Sequence, residues 1–194
     1  MKLRSKFILI ALLFSATPFA HAQALPGDSI YQVQATVTDA QGKAMAWRDL
    51  RGKPAVLSMF YTGCHMMCPL ILENAKATQK QLPESDRDRM TWAMISLDPA
   101  NDTPQALRDT ARRYRAPADW RFLTPAVNDV RAIASVLDIR YRARSDGSIN
   151  HTSALVLVDA QGRVLARTEI AGAIPDPTFL AAIRKALAAP SPQP

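Results

Sequence analysis

Three short, almost wholly apolar runs punctuate this chain at 54–60, 90–97 and 154–158, and between them apolar residues recur at helical spacing. The first run, Pro-Ala-Val-Leu-Ser-Met-Phe, is bounded by Gly52 and Gly63 and predicts a buried strand. Met67, Leu70, Ile71, Ala75, Thr78 and Leu82 then mark the inner stripe of a helix that begins near Cys64 and stops at Pro83. A charged loop over 84–89 leads to the second buried strand, 90–97, which ends in Asp98-Pro99. There Asp98 shapes a turn, and Asp102 favours the start of the next helix. Thr103 and Pro104 supply that helix with an N-cap and a first-turn proline, and its inner positions are Leu107, Ala111 and Tyr114.

Shorter signals complete the chain. Residues 29–46 alternate apolar and polar around Asp39-Ala40-Gln41-Gly42, which predicts an N-terminal β-hairpin. A short strand is expected over 120–123, and then a helix capped by Asn128 with Val130, Ile133, Ala134 and Leu137 inward. Another short strand over 139–143 precedes a turn at Ser145-Asp146-Gly147. The clearest hairpin joins 154–158 to 164–169 through Asp159-Ala160-Gln161-Gly162, and Asp176-Pro177 opens a last helix with Leu180, Ile183 and Leu187 inward. Strand–helix–strand crossovers imply a parallel portion, and the closing hairpin adds antiparallel strands. The expected class is therefore α/β, a mixed central sheet with helices on both faces and an N-terminal β-hairpin. A thiol pair ending the first core strand and opening the first long helix points to a thioredoxin-like fold.

Length and charge narrow the setting. The 194 residues suffice for one domain with a full core. Lys2, Arg4 and Lys6 precede an apolar stretch over 7–14, and small residues at Ala20, Ala22 and Ala24 offer cleavage sites. This reads as a secretory signal over 1–24, cleaved after Ala22 or Ala24, ahead of a domain over 25–189 and a disordered tail over 190–194. The expected location is the periplasm, with no membrane span once the signal is removed; an uncleaved N-terminal membrane anchor is the alternative. Its three cations account for part of the net +7, leaving +4 on the mature chain. No nucleic-acid-reading motif accompanies that charge, so nucleic acid is excluded as a partner.

The two cysteines, Cys64 and Cys68, stand four apart. A disulfide closing so small a loop restricts the unfolded chain little, so a purely structural bridge is a poor explanation. Redox or metal chemistry is the better one. At a helix N-terminus free N–H groups and the macrodipole favour an anion, so Cys64, nearer that end, should be the more acidic thiol. His151 precedes the strand 154–158 and stands at a strand mouth, where functional loops of such sheets gather. Two thiolates and an imidazole suit copper, the cuprous ion above all. His65, Met66 and Met67, between the thiols, are further soft candidates, although Met67 also fits the inner stripe of the helix. Other motifs fail on spacing: Pro69 stands where covalent haem attachment needs histidine, and three residues rather than two separate the cysteines.

Three ordered segments carry a resemblance. Tyr61-Thr62-Gly63-Cys64-x-x-x-Cys68-Pro69 is the first, and Ile95-Ser96-Leu97-Asp98-Pro99-x-x-Asp102-Thr103-Pro104 the second. His151-Thr152-Ser153, followed by a hydrophobic strand and Asp159-Ala160-Gln161-Gly162, is the third. Together they resemble the Sco/SenC family of copper-handling proteins over residues 30–187. The resemblance implies a thioredoxin-like fold, copper held by Cys64, Cys68 and His151, and a redox-active Cys64/Cys68 pair that forms a disulfide when oxidised. It further implies a metallochaperone that helps assemble the dinuclear copper centre of cytochrome c oxidase. Oxidase subunit II would then be the copper acceptor and thiol reductant proteins further partners. The competing reading is a thiol–disulfide oxidoreductase without stably bound copper. Two departures stand out: Asn150 replaces the acidic residue common before the histidine, and the segment between Tyr141 and His151 is short.

Overall fold

The structure, a computed structural model, describes residues 24–169 and 172–189. The expected tail lies outside the described residues, as does all of the expected signal except Ala24.

The chain opens with a 3-10 turn at Ile30–Gln32, capped by the Ser29 hydroxyl, and then forms the hairpin β1 (Thr36–Asp39) and β2 (Ala44–Ala46). The hairpin is shorter than its alternation suggested, because Ser29 to Val33 turn instead of extending. A second 3-10 turn, Trp47–Leu50, buries its tryptophan and leads to β3 (Ala55–Phe60), every residue of which is buried. Next come α1 (Met67–Lys80), the single turn α2 (Glu84–Arg87) and β4 (Thr91–Ser96). The expected charged loop is thus in part helical, with Glu84 and Asp86 placed in the first turn where the dipole favours anions.

Helix α3 (Pro104–Arg113) begins as its sequence predicts: Thr103 accepts a hydrogen bond from the Ala106 N–H, and proline fills the first turn. After β5 (Arg121–Pro125), a 3-10 turn at Val127–Asp129 runs into α4 (Val130–Val136). Asn128 therefore does not cap that helix. Asp129 holds the cap position, and its carboxylate is turned instead to the Thr36 N–H at 2.8 Å. Strands β6 (Tyr141–Ala143) and β7 (Ile149–His151) form a separate small hairpin, followed by β8 (Leu155–Val158), β9 (Val164–Thr168) and α5 (Pro177–Ala188). Asp176 caps α5, accepting from the Thr178 and Phe179 N–H groups.

Seven strands make one mixed sheet in the order β2-β1-β5-β4-β3-β8-β9. The central three, β3, β4 and β5, are parallel, and both hairpins join them antiparallel. Alternation along β3 sends Val56 and Phe60 to one face and Ala55, Leu57 and Met59 to the other. The first face is covered by Ile71, Leu72 and Ala75 of α1, Leu107 of α3, and Phe179, Ile183 and Leu187 of α5. The second is covered by Val130, Ile133 and Ala134 of α4 and by the N-terminal 3-10 turns. Helices on both faces are the expected arrangement. Each fully buried leucine or phenylalanine contributes roughly 1.5–3 kcal/mol, so a sheet covered twice is well supported.

Because β8 runs antiparallel to β3, pairing Leu57 with Val156, the residues just before β8 arrive at the C-terminal end of β3. The Ser58 hydroxyl fixes that approach by donating to the Ala154 carbonyl at 2.7 Å. The loop after β4 arrives at the same end, where the Leu97 N–H donates to the Phe60 carbonyl at 2.7 Å. Three segments distant in sequence meet there.

Candidate metal centre

Strand β3 ends at Phe60, and six residues of loop separate it from α1. Cys64 sits in that loop, its N–H donating to the Tyr61 carbonyl at 3.1 Å. The helix starts three residues later than its apolar spacing suggested, so Cys68 lies in its first turn and Cys64 outside it. What joins the two is direct: the Cys68 N–H donates to Cys64 Sγ at 3.2 Å. Both are free thiols, 7% and 2% exposed.

His151 is the last residue of β7, not part of a plain loop as its position before a strand suggested. Its ligand nitrogen and the two sulfurs all lie within 4.8 Å of one another. Nδ1 lies 3.1 Å from the Thr152 carbonyl, which can only accept, so the ring proton belongs there. That leaves the Nε2 lone pair facing Cys68 Sγ at 3.7 Å. Tyr61 holds the small hairpin over the cysteine loop: its hydroxyl accepts from the Ile149 N–H at 3.3 Å, and its ring meets the imidazole edge-on at 6.1 Å.

The thiols are electrostatically unlike. The thiol of Cys68, donating to the Cys64 sulfur, holds Cys64 far below the ordinary thiol range, and the N–H groups of Cys68 and Met66 act the same way against the penalty of burial. Cys68 is pushed far up, first by that same hydrogen bond and then by burial. The first thiolate therefore forms on Cys64, as expected, but the partner thiol has the largest share in this and the helix terminus is secondary.

Beneath the loop lies a residue whose role the sequence did not disclose. Asp102 is fully buried and does not act at the helix start. Its Oδ1 accepts from the Thr62 N–H at 3.1 Å and the Thr62 hydroxyl at 2.6 Å, while Oδ2 accepts from the Ser96 hydroxyl at 2.6 Å. Burial pushes its carboxyl above the usual range, and the bonds from Ser96 and Thr62 pull part of the way back. The carboxylate ties the end of β4 to the residue two before Cys64. The signal was available in the second motif, where a serine closes a buried strand and an aspartate comes six residues later. Asp98 does shape the turn, its carbonyl accepting from the Asn101 and Asp102 N–H groups.

The residues between the thiols stay apart from the cluster. His65 is exposed, and Met66 is 80% exposed. Met67 and Leu70 are also exposed, against the expected inner stripe; the buried face of α1 is formed instead by Cys68, Ile71, Leu72 and Ala75. Met67 lines an open hollow with His151. Two thiolates and a neutral imidazole form a soft three-ligand set, which suits cuprous copper, whereas structural zinc requires a fourth ligand.

Comparison with known proteins agrees with this geometry. A protein of Stutzerimonas stutzeri named for copper binding is 27% identical over 133 residues, 66% of this chain; the chain spans 64% of that protein's length. A SCO1 protein homolog of Bacillus subtilis is 28% identical over 140 residues, covering 70% of this chain and 72% of that protein. Among solved structures, Arabidopsis thaliana ScoI with copper bound is similar with a TM-score of 0.67 at 20% identity, over 79% of this chain and 98% of that one. The copper-bound ScoI of Bradyrhizobium japonicum gives a TM-score of 0.66 at 21% identity, over 79% and 97%. These likenesses show the shared fold. The SCO1/SenC family model matches residues 25–188, nearly the whole described chain, and the protein belongs to that family.

Proposed function

We propose that the protein is a copper metallochaperone that holds cuprous copper through Cys64, Cys68 and His151 and passes it to an acceptor. The observation that carries this reading is the convergence of two sulfurs and an imidazole nitrogen within 4.8 Å at one end of the sheet. Copper here is cargo. Cys64 reaches the thiolate state most readily, Cys68 supplies a second sulfur from the first turn of α1, and the Thr152 carbonyl keeps His151 Nε2 free to ligate. A site open toward the hollow beside Met67 leaves room for an acceptor's ligand to approach. The name of the Stutzerimonas relative supports copper handling. The finer reading is export through a signal over 1–24 to the periplasm, where the acceptor is cytochrome c oxidase subunit II and thiol reductants keep the pair reduced. Among the described residues no helix is long and apolar enough to cross a membrane.

The test is a cuprous titration of reduced protein in competition with a chromophoric chelator. Wild type should bind one equivalent, and His151→Ala should bind about tenfold more weakly or worse. Unchanged affinity in that variant would remove the imidazole from the site.

A second reading is favoured by the unlike thiols. A low-lying Cys64 thiolate beside a buried Cys68 thiol is the arrangement a disulfide reductase uses. Cys64 would attack a partner disulfide and Cys68 would then displace the partner's sulfur, oxidising the pair by two electrons. His151 is not required for that exchange, so His151→Ala separates the readings: reductase activity should survive where copper affinity falls.

A further inference from the structure

The mouth of the cysteine–histidine site has two unlike lips. On one side Arg140, just before β6, and Arg142 of β6 line the same open hollow as His151 and Met67. The two arginines also line an adjoining hollow together with Arg131 of α4. All three are exposed, and among the described residues none has an acidic partner. Of the nearby acids, Glu169, which lines the first hollow as well, pairs with Arg167 at 3.2 Å, Asp146 lies 3.8 Å from Arg144, and exposed Asp138 forms no ion pair among the described residues. Beside the histidine hairpin thus runs a strip of three arginines without ion-pair partners among the described residues, outnumbering the acids around them.

The other lip is apolar. Met66, Met67 and Leu70 are exposed around the start of α1, and Ile174 is 79% exposed. The loop bearing Ile174 is fastened to that helix, since Asn74 Nδ2 donates to the carbonyls of Gly172 and Ile174 at 3.0 and 2.9 Å. The Gly172 N–H also donates to the Leu70 carbonyl at 3.1 Å. A fixed apolar patch beside a charged strip, with Met67 and His151 in one hollow with Arg140 and Arg142, has the make-up of a protein interface: an apolar centre and a charged rim that steers encounter.

We propose that this face docks an acidic protein surface, with Arg131, Arg140 and Arg142 contacting its carboxylates while Met66, Met67, Leu70 and Ile174 cover an apolar spot beside its metal- or sulfur-bearing group. Charge complementarity selects the occupant. Charge concentrated at a reactive mouth raises encounter rates with oppositely charged partners by tenfold or more at low salt. The inference rests on the proposed function and names the chemistry of its partner. Its test uses no copper, so a failed copper titration and a failed charge preference are separate results.

The experiment tracks reduced full-length protein reacting with two disulfide-closed peptides of equal length, one flanked by aspartates and the other by lysines. The Cys64 thiolate attacks one peptide sulfur and breaks the peptide disulfide, and Cys68 then displaces the mixed disulfide. The protein pair is left oxidised and the peptide carries two thiols. At about 10 mM ionic strength the aspartate peptide should react at least about fivefold faster, and at about 0.5 M the difference should shrink to within about twofold. Arg140→Glu/Arg142→Glu should reverse the preference, and Arg140→Gln/Arg142→Gln should abolish it. Arg51→Glu/Arg121→Glu makes the same change of net charge at the opposite end of the parallel strands, where both residues line another hollow. That control should retain the preference. Equal rates for the two peptides in wild type, or equal loss in the control, would overturn the proposal. So would binding to phosphatidylglycerol vesicles that vanishes in Arg140→Glu/Arg142→Glu without any peptide preference, since the strip would then belong to a membrane surface.

Discussion

Replacing Asp102 with alanine tests whether a buried carboxylate holds the cysteine loop in place. The substitution removes the acceptor of three donors, the Thr62 N–H, the Thr62 hydroxyl and the Ser96 hydroxyl. Ser96 is fully buried, so its hydroxyl has no water to turn to. Each buried donor left unpaired costs about 1–3 kcal/mol, and relief from burying the carboxylate offsets part of that. A net loss of about 3 kcal/mol is expected, against a total stability of roughly 5–15 kcal/mol for a domain of this kind. Asp102→Asn should lose only about 1 kcal/mol, since the amide oxygen still accepts from Thr62 and the amide nitrogen can donate to Ser96. Urea unfolding gives both values from the midpoint at constant slope. The site should report the change too: Thr62 stands two residues before Cys64, so alkylation of Cys64 should change in the alanine variant and recover in the asparagine one. A loss below about 1 kcal/mol with unchanged Cys64 reactivity would show that the carboxylate does not position the loop.

The same residue predicts a pH dependence. Burial raises the folded carboxyl above its ordinary 3.8, so the folded state holds that proton more tightly than the unfolded chain does. Its contribution to stability is therefore present below 3.8 and is lost as pH rises through the folded value. Subtracting the Asp102→Asn stability profile from that of wild type isolates this slope, and a difference of opposite sign would contradict the burial argument. Alkylation should label Cys64 before Cys68 and persist at pH well below the usual thiol range. Cys68→Ser should retain part of that acidity through its hydroxyl, and Cys68→Ala should raise the Cys64 value most, because the Cys68 side chain is the largest cause of its depression. Copper and the Cys64–Cys68 disulfide should exclude each other, since ligation needs thiolates; oxidised protein that bound copper as tightly as reduced protein would refute the two-sulfur site. Gly162→Ala should destabilise by about 2 kcal/mol or more. The residue has φ +86, and an added Cβ would fall 2.5 Å from the Tyr31 ring. Thermal unfolding measures that loss.

Much of this architecture was legible because it rests on strong local signals. β3 and β4 are continuous buried runs, and α3 and α5 carry cap residues that do in space what their chemistry suggests. The nearness of His151 to the two cysteines was an expectation of the family resemblance, and the antiparallel pairing of β8 with β3 brings it about. The errors have physical causes. Cysteines four apart implied one helix, but the Cys64 sulfur accepts the N–H of Cys68 from outside the helix, so the spacing reflects a capping contact. The three residues of β7 are too few for periodicity to register. Met67 and Leu70 fit the apolar spacing, yet the buried face of α1 runs through Cys68, Ile71, Leu72 and Ala75. The role of Asp102 depends on Thr62, forty residues away, a pairing that only the fold creates.

The central claim is that Cys64, Cys68 and His151 together bind copper. X-ray absorption of the reduced protein loaded with one equivalent of cuprous copper tests it most directly. Two sulfur scatterers and one imidazole nitrogen around the metal are predicted, with the nitrogen lost and both sulfurs kept in His151→Ala. A coordination sphere without two sulfurs, or one whose nitrogen survives removal of His151, would contradict the account.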